Sequence, residues 1–514
     1  MRHAVVMIHG MGEQIPMETL TSFVDATWTT DLSLVGEDRK DVNTGEQRTE
    51  NASWGKPDQR NRSFELRRIA TEKAKTGVYT DFYEFYWAHL ITGNTWDHVA
   101  PWLTGLVLRN PFKRVPAAVR FAWCVMAMVT AILVYLAVVN IWNVSNDIAP
   151  GPRTSFVLAL AALAGGYVLN TLIIPRLGDV ARYIKASPPN VANRQKIRSN
   201  GVELLETLMH AKKTKIDRKG NPYEVYIYDR IIVASHSLGT IVAYDILTHT
   251  FGRNNRDYDA EKMAKTPAQP HREALEKAIQ TASLPDNDPA QTILDIEDFQ
   301  ALQDAARAEL NATGNRWIIS DFVTMGSPLT HAEFLMAYDK DGLRADQAKR
   351  ILPTCPPVLE WDERSDKSHF TYRRGKLDGI KVPDNDDGTK PAFESHPRIP
   401  HHAAMFAYTR WSNLFSKHRF VLKGDLVSGP VADQFALQGE GGPIKGVKDI
   451  PVLPDLDHNG QPASGMKRGW VTHNNYWNAK AQSELRTPLD ENGKKAAPHH
   501  IQKLRAALRL GKKV

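Results

Sequence analysis

Arg230 to Tyr244 reads RIIVASHSLGTIVAY, and this stretch decides the fold. Ile231-Ile232-Val233-Ala234 is a short apolar run of strand composition. Ser235-His236-Ser237-Leu238-Gly239 follows at once, and from Thr240 to Leu247 the apolar residues take up helical spacing. The order is strand, sharp turn, helix, with Ser237 at the apex. In such a turn strand and helix pass so close that the residues two before and two after the apex must be small. Ser235 and Gly239 meet that demand, with Ser235 standing where glycine is usual. The apex hydroxyl is then held outward, as a nucleophile needs.

Three other stretches supply what a serine nucleophile requires. Arg2 to Ile8 is strand-like and runs into His9-Gly10-Met11-Gly12. A tetrahedral intermediate needs two backbone N–H groups aimed at its oxyanion. Leu238, after the apex serine, would give one, and Met11 in the glycine-rich turn the other. His9, Gly10 and Gly12 support that turn, because glycine lets backbone come close to a substrate. Trp411 to Phe415 is strand-like and a turn follows, Lys423-Gly424-Asp425-Leu426-Val427-Ser428-Gly429-Pro430. Asp425 is the candidate acid, placed to orient a histidine, with Asp433 as the alternative. Among 18 histidines, His473 in Gly469-Trp470-Val471-Thr472-His473-Asn474-Asn475-Tyr476-Trp477 is the candidate base. It follows Asp425 and lies in a polar turn with aromatic flanks. His458, in Asp457-His458-Asn459-Gly460, reads as an ordinary exposed turn.

His9-Gly10-Met11-Gly12, the Ser237 turn, Asp425 and His473 together resemble the α/β-hydrolase fold of lipases and esterases, whose chain order is Ser, Asp, His. Phe322-Val323-Thr324-Met325-Gly326-Ser327-Pro328-Leu329 is similar to the strand and turn after the nucleophile helix in lipase-like members. The resemblance covers about half the chain in scattered blocks. It implies an α/β fold, a mostly parallel sheet flanked by helices, and a serine hydrolase acting on ester bonds. Thioesterase, amidase or acyltransferase chemistry and a lipase-type antibacterial toxin use the same constellation. A catalytically inactive membrane scaffold is the alternative of a different class.

The chain has 514 residues, 42% apolar and 24% charged, enough for a full core. A net charge of +7 suits anionic lipid headgroups or nucleic acid. No nucleic-acid motif is present and the basic residues cluster beside apolar segments, so lipid is the expected partner. The two cysteines, Cys124 in an apolar run and Cys355, do not suggest a disulfide. No signal peptide precedes the first strand.

Phe121 to Trp142 is an uncharged run, and Ser155 to Ile174 is a second. The first would span roughly 33 Å as a helix, enough for a bilayer core. Arg109, Lys113, Arg114 and Arg120 precede the pair and Arg176, Arg182 and Lys185 follow it, while the loop between holds only Arg153. By the positive-inside rule both flanks are cytoplasmic, which predicts an integral membrane protein with its hydrolase domain on that side. Ala161 with Gly165 and Ala162 with Gly166 would let the two helices pack closely. Strands Arg2–Ile8 and Ile231–Ala234 should share a sheet, so the chain between them must cross an even number of times.

The expected organisation is a hydrolase domain in two pieces, 1–95 and 186–514, around an interfacial helix and transmembrane hairpin at 96–185. Inserts are expected at 251–314, charged and helical, and at 331–402, rich in Pro and Asp turns. Residues 36–62 and 439–463 read as loops, 78–89 as a strand, 190–213 as a helix, and 497–514 as a basic amphipathic helix on a membrane or the surface. His396, His401 and His402 invite a metal, but Pro397 and Pro400 break their spacing and no acidic ligand accompanies them. No metal or cofactor is expected.

Overall fold

The structure is a computed structural model. It describes residues 1–11, 15–36, 40, 45–57, 59–61, 63–90, scattered positions between 104 and 142, 182–184, 188–256, 258–265, 269–363, 365–373, 398–418, 424–453, 472–477 and 499–513. Its centre is an eight-stranded sheet built from β1 (Arg2–Ile8), β2 (Ser53–Pro57), β3 (Arg67–Thr71), β4 (Tyr79–Phe85), β5 (Arg230–His236), β6 (Ile319–Met325), β7 (Arg410–Phe415) and β8 (Lys448–Pro451). The spatial order is β8-β7-β6-β5-β1-β4-β3-β2. From β8 to β4 every neighbour is parallel, and β3 and β2 complete the edge as an antiparallel hairpin.

β1, β5 and β6 are buried along almost their whole length, which is why they read as unbroken apolar runs rather than alternating ones. Their side chains still alternate between faces. Ala4, Val6 and Ile8 join one core with Val233 and Phe322. Val5 and Met7 join the other with Ala234 and Met325. The first core is covered by α2 (Pro188–His210), α3 (Gly239–Asn254), α4 (Pro270–Ala282) and α5 (Ile296–Ala312). The second is covered by α1 (Glu18–Val24) and α6 (His499–Leu508). The result is three layers, helices on both faces of a mostly parallel sheet.

Three expectations change. The loop expected at 36–62 contains β2, an edge strand whose Trp54 to Pro57 are exposed, so no burial pattern marked it. The loop expected at 439–463 contains the outer strand β8. The basic helix near 499–508 buries Ile501, Leu504 and Leu508 in the second core, so its apolar face covers the sheet rather than a bilayer.

The transmembrane hairpin is not seen as such. Among the described residues no helix is long and apolar enough to cross a membrane. Ser155 to Ile174 lies outside the described residues, and Phe121 to Trp142 is described only at scattered positions, those being helical. Trp96 and Trp102, aromatic residues expected at the membrane interface, also lie outside them.

Parallel strands place all their carboxyl ends on one edge of the sheet, where ligand sites of open α/β sheets are found. Here that edge gathers the residues after Ile8, His236, Met325 and Phe415. The opposite edge carries a buried charge cluster. Asp321 is bound by Arg230, by Arg410 Nη2 at 2.6 Å and by Arg509 Nη2 at 3.0 Å. Burial would raise this carboxyl's pKa, but the three guanidiniums hold it well below the usual range. Arg230 also donates to the carbonyls of Leu508 and Arg509 at 3.2 and 3.0 Å, satisfying groups that a helix end leaves open.

Candidate active site

Ser237 has φ of 53°, in the left-handed region that a non-glycine residue keeps only when its surroundings hold it there. Ser237 N–H donates to Met325 O at 3.0 Å, and Thr240 Oγ1 donates to Ser237 O at 2.7 Å. A Cβ on Gly239 would run into the carbonyl oxygens of His9 and Ile8, and one on Gly10 would lie 2.9 Å from Ser237 Cβ. The two glycines therefore let the turn after β1 and the turn after β5 touch.

His9 fixes the first of these turns. Its Nε2 accepts from Trp87 N–H at 3.1 Å and its Nδ1 faces Gly10 O at 2.8 Å. One acceptor and one donor nitrogen make a neutral ring, and burial holds its pKa down at about 4. Trp87 stacks on it at 5.2 Å and donates its indole N–H to His9 O at 3.0 Å. Met11 packs against the first core. Leu238 is the cap residue of α3, where the first N–H groups have no acceptor within the helix and the dipole favours negative charge. Gly12 lies outside the described residues.

Ser237 Oγ is 2.8 Å from His473 Nε2. His473 Nδ1 is 3.0 Å from each carboxylate oxygen of Asp425. An ionised carboxylate only accepts, so Nδ1 carries a proton, and the neutral ring presents a bare Nε2 to the serine hydroxyl. Asp425 is buried and also accepts from Val427 N–H at 2.9 Å and Tyr476 O–H at 2.7 Å. Burial alone would raise its pKa, but the bond to His473, that ring's charge and the Tyr476 and Ser428 hydroxyls bring it down to about 2.

Two supporting residues escaped the sequence reading. Tyr476 O–H, besides serving Asp425, lies 2.8 Å from Ser428 Oγ and accepts from Ser416 N–H at 3.0 Å. Burial and the Asp425 charge raise its pKa well above the ordinary phenol value, so it remains a donor. His236 is the other. Its Nε2 is 2.8 Å from His473 O, and the two rings are 4.9 Å apart. Burial, then the neighbouring His473, hold the His236 pKa down at about 3. A neutral ring can make that bond only with its proton on Nε2. The available signal was position, since a histidine just before the apex serine is confined within the turn.

The described remaining candidates are not part of this group. Asp433 is exposed and pairs with Lys445 at 2.7 Å. His458 and His396 lie outside the described residues. His401 Nε2 faces Val358 O at 2.9 Å and His402 Nε2 faces Arg350 O at 3.1 Å. Among the described residues no group of three His, Cys, Asp or Glu is placed to hold a metal.

The arrangement can take a proton from the Ser237 hydroxyl, hold it on His473 and balance its charge with Asp425. No protein family, curated protein or solved structure matches the chain.

Proposed function

We propose that the chain is a membrane-anchored serine hydrolase of the α/β-hydrolase type, cleaving carboxylic esters of lipids through an acyl-enzyme. One observation carries the reading: the hydrogen-bonded series Ser237, His473, Asp425, assembled at a strained turn from three distant stretches. The parallel sheet, the site at its carboxyl edge and the chain order Ser, Asp, His support the fold assignment.

In this reading Ser237 Oγ attacks the ester carbonyl while its proton passes to His473 Nε2. Asp425 stabilises the imidazolium without taking the proton. The N–H groups of Met11 and Leu238 bind the oxyanion. His473 returns the proton to the leaving alcohol, then activates water to free the acid and Ser237.

Lipid is favoured by the stretch before and within the first apolar run. Phe121, Met128, Tyr135, Val138 and Trp142 are all more than half exposed, an apolar surface that water does not favour. Arg120, just before them, lies over the ring of exposed Phe112, a cation beside apolar surface as at a headgroup layer.

The test uses a fluorophosphonate probe and phospholipid vesicles. Peptide mapping should find the adduct on Ser237, and wild type but not Ser237→Ala should release fatty acid from the vesicles. An unlabelled Ser237 in folded wild type would leave the inactive scaffold in place. Labelling without lipid release would move the substrate to a soluble acyl compound.

A further inference from the structure

A second serine, histidine and carboxylate are joined in the same sense elsewhere in the molecule. Ser365 Oγ is 2.9 Å from His369 Nε2, and His369 Nδ1 is 2.7 Å from Glu276 Oε2. Glu276 lies on α4. Ser365 precedes the short strand Lys367–His369, which pairs with Glu360–Asp362 as a hairpin. His369 and Glu276 are buried, whereas Ser365 is partly exposed. All three line a cavity of about 670 Å³.

The carboxylate is held on both of its oxygens. Glu276 Oε1 accepts from Thr371 Oγ1 at 2.8 Å. Arg272 binds Glu276 but is shared with Glu273, and Arg398 is bound to Asp362. Arg272 and the His369 ring meet the same oxygen of Glu276, so the carboxylate orients the ring while the guanidinium balances part of its charge. Lys277, Lys367 and Arg373 line the same cavity and make it suited to a substrate carrying its own negative charge. We propose that Ser365 is a second activated nucleophile, with His369 as base and Glu276 as orienting carboxylate, acting on short anionic esters.

The step is an acyl transfer. Ser365 Oγ bonds to the carbonyl carbon as its proton moves to His369 Nε2. The alcohol leaves with that proton, and water then cleaves the acyl-serine by the same route. The amides of Ser365 and Asp366 both donate to Asp362 O, at 3.1 and 3.0 Å, so these two do not serve an oxyanion. Lacking that pair, Ser365 should react about 10²–10³-fold more slowly than Ser237.

The test is made in full-length Ser237→Ala, which removes the first nucleophile. A fluorophosphonate should form an adduct on Ser365, with loss of fluoride and at the slower rate, and Ser365→Ala or His369→Gln should abolish it. The same protein should hydrolyse mono-p-nitrophenyl succinate faster than p-nitrophenyl acetate. An unmodified Ser365, or an adduct that forms equally well in a folded His369→Gln protein, overturns the proposal. In that event the three residues only clasp the hairpin to α4, and His369→Gln lowers the melting temperature alone. Equal rates on the two esters overturn the assigned substrate charge. Labelling of Ser237 in wild type is read separately, so failure of either site does not mimic failure of the other.

Discussion

At the scale of single residues, the site depends on which nitrogen of His473 holds the proton. Asp425 dictates this by offering two oxygens to Nδ1. Asp425→Asn keeps the size of the side chain but can present an N–H there, reversing the tautomer. Turnover in the proposed ester hydrolysis should fall about 10⁴-fold, with substrate KM little changed. Glu84 titrates in the opposite sense. It is buried at the end of β4, and one of its oxygens, Oε1, has no partner among the described residues. Burial, opposed by the Met17 N–H bond, raises its pKa from 4.5 to about 7. A raised carboxyl pKa costs nothing below the unfolded value and destabilises increasingly as pH rises toward the folded one. Glu84→Gln should therefore match wild type in denaturant midpoint at pH 4 and exceed it at pH 8, by up to about 3 kcal/mol. Ser237, Asp425 and His473 were legible because each sits in a distinctive turn and their order is informative. His236 and Tyr476 were not, because they act on a carbonyl and a carboxylate that only the fold brings near.

At the scale of elements, what could be read followed burial. β1 and β5 are covered on both faces and stood out as apolar runs. β2 is largely exposed and contains Gly55 and Pro57, and β8 has four residues with Ile450 its main apolar side chain. Their strand state comes from pairing with β3 and β7, which local composition does not carry. Asp449 on β8 looked like a loop residue. Its carboxylate accepts from Asn413 Nδ2 at 2.7 Å and from the amides of Val431 and Ala432, tying the strand to the segment after the acid turn. The turn after β6 is equally constrained. Gly326 has φ of 59°, and a Cβ there would sit 2.8 Å from Tyr476 Cε2. Gly326→Ala should cost about 1–3 kcal/mol in urea unfolding. It should also lower turnover, because Tyr476 must shift and take Asp425 with it.

At the scale of the whole molecule, the buried cluster around Asp321 joins β5, β6, β7 and the end of α6. Asp321→Asn leaves Arg230, Arg410 and Arg509 without their shared anion. It should destabilise the fold by about 3–5 kcal/mol, measured by equilibrium denaturation. The pairing of β1 with β5 puts both ends of the intervening chain on one side of any membrane. Thr21→Cys and Ala301→Cys, in a Cys124→Ser background, should react with an impermeant maleimide from the same face. Reaction from opposite faces would exclude a hairpin anchor.

The position of β1 has a consequence for synthesis. It precedes every other strand of this sheet in the chain yet lies inside the sheet, flanked by β4 and β5. On the ribosome its second edge stays open until the segment holding Arg230 to His236 emerges, some ten to forty seconds later at ordinary elongation rates. The nascent chain thus carries a largely apolar strand with one edge open, a template for mispairing with its neighbours on a polysome. Chaperone demand early in translation follows from that placement of β1, and a ribosome-bound fragment ending before β5 should associate with holdases that the completed chain no longer needs.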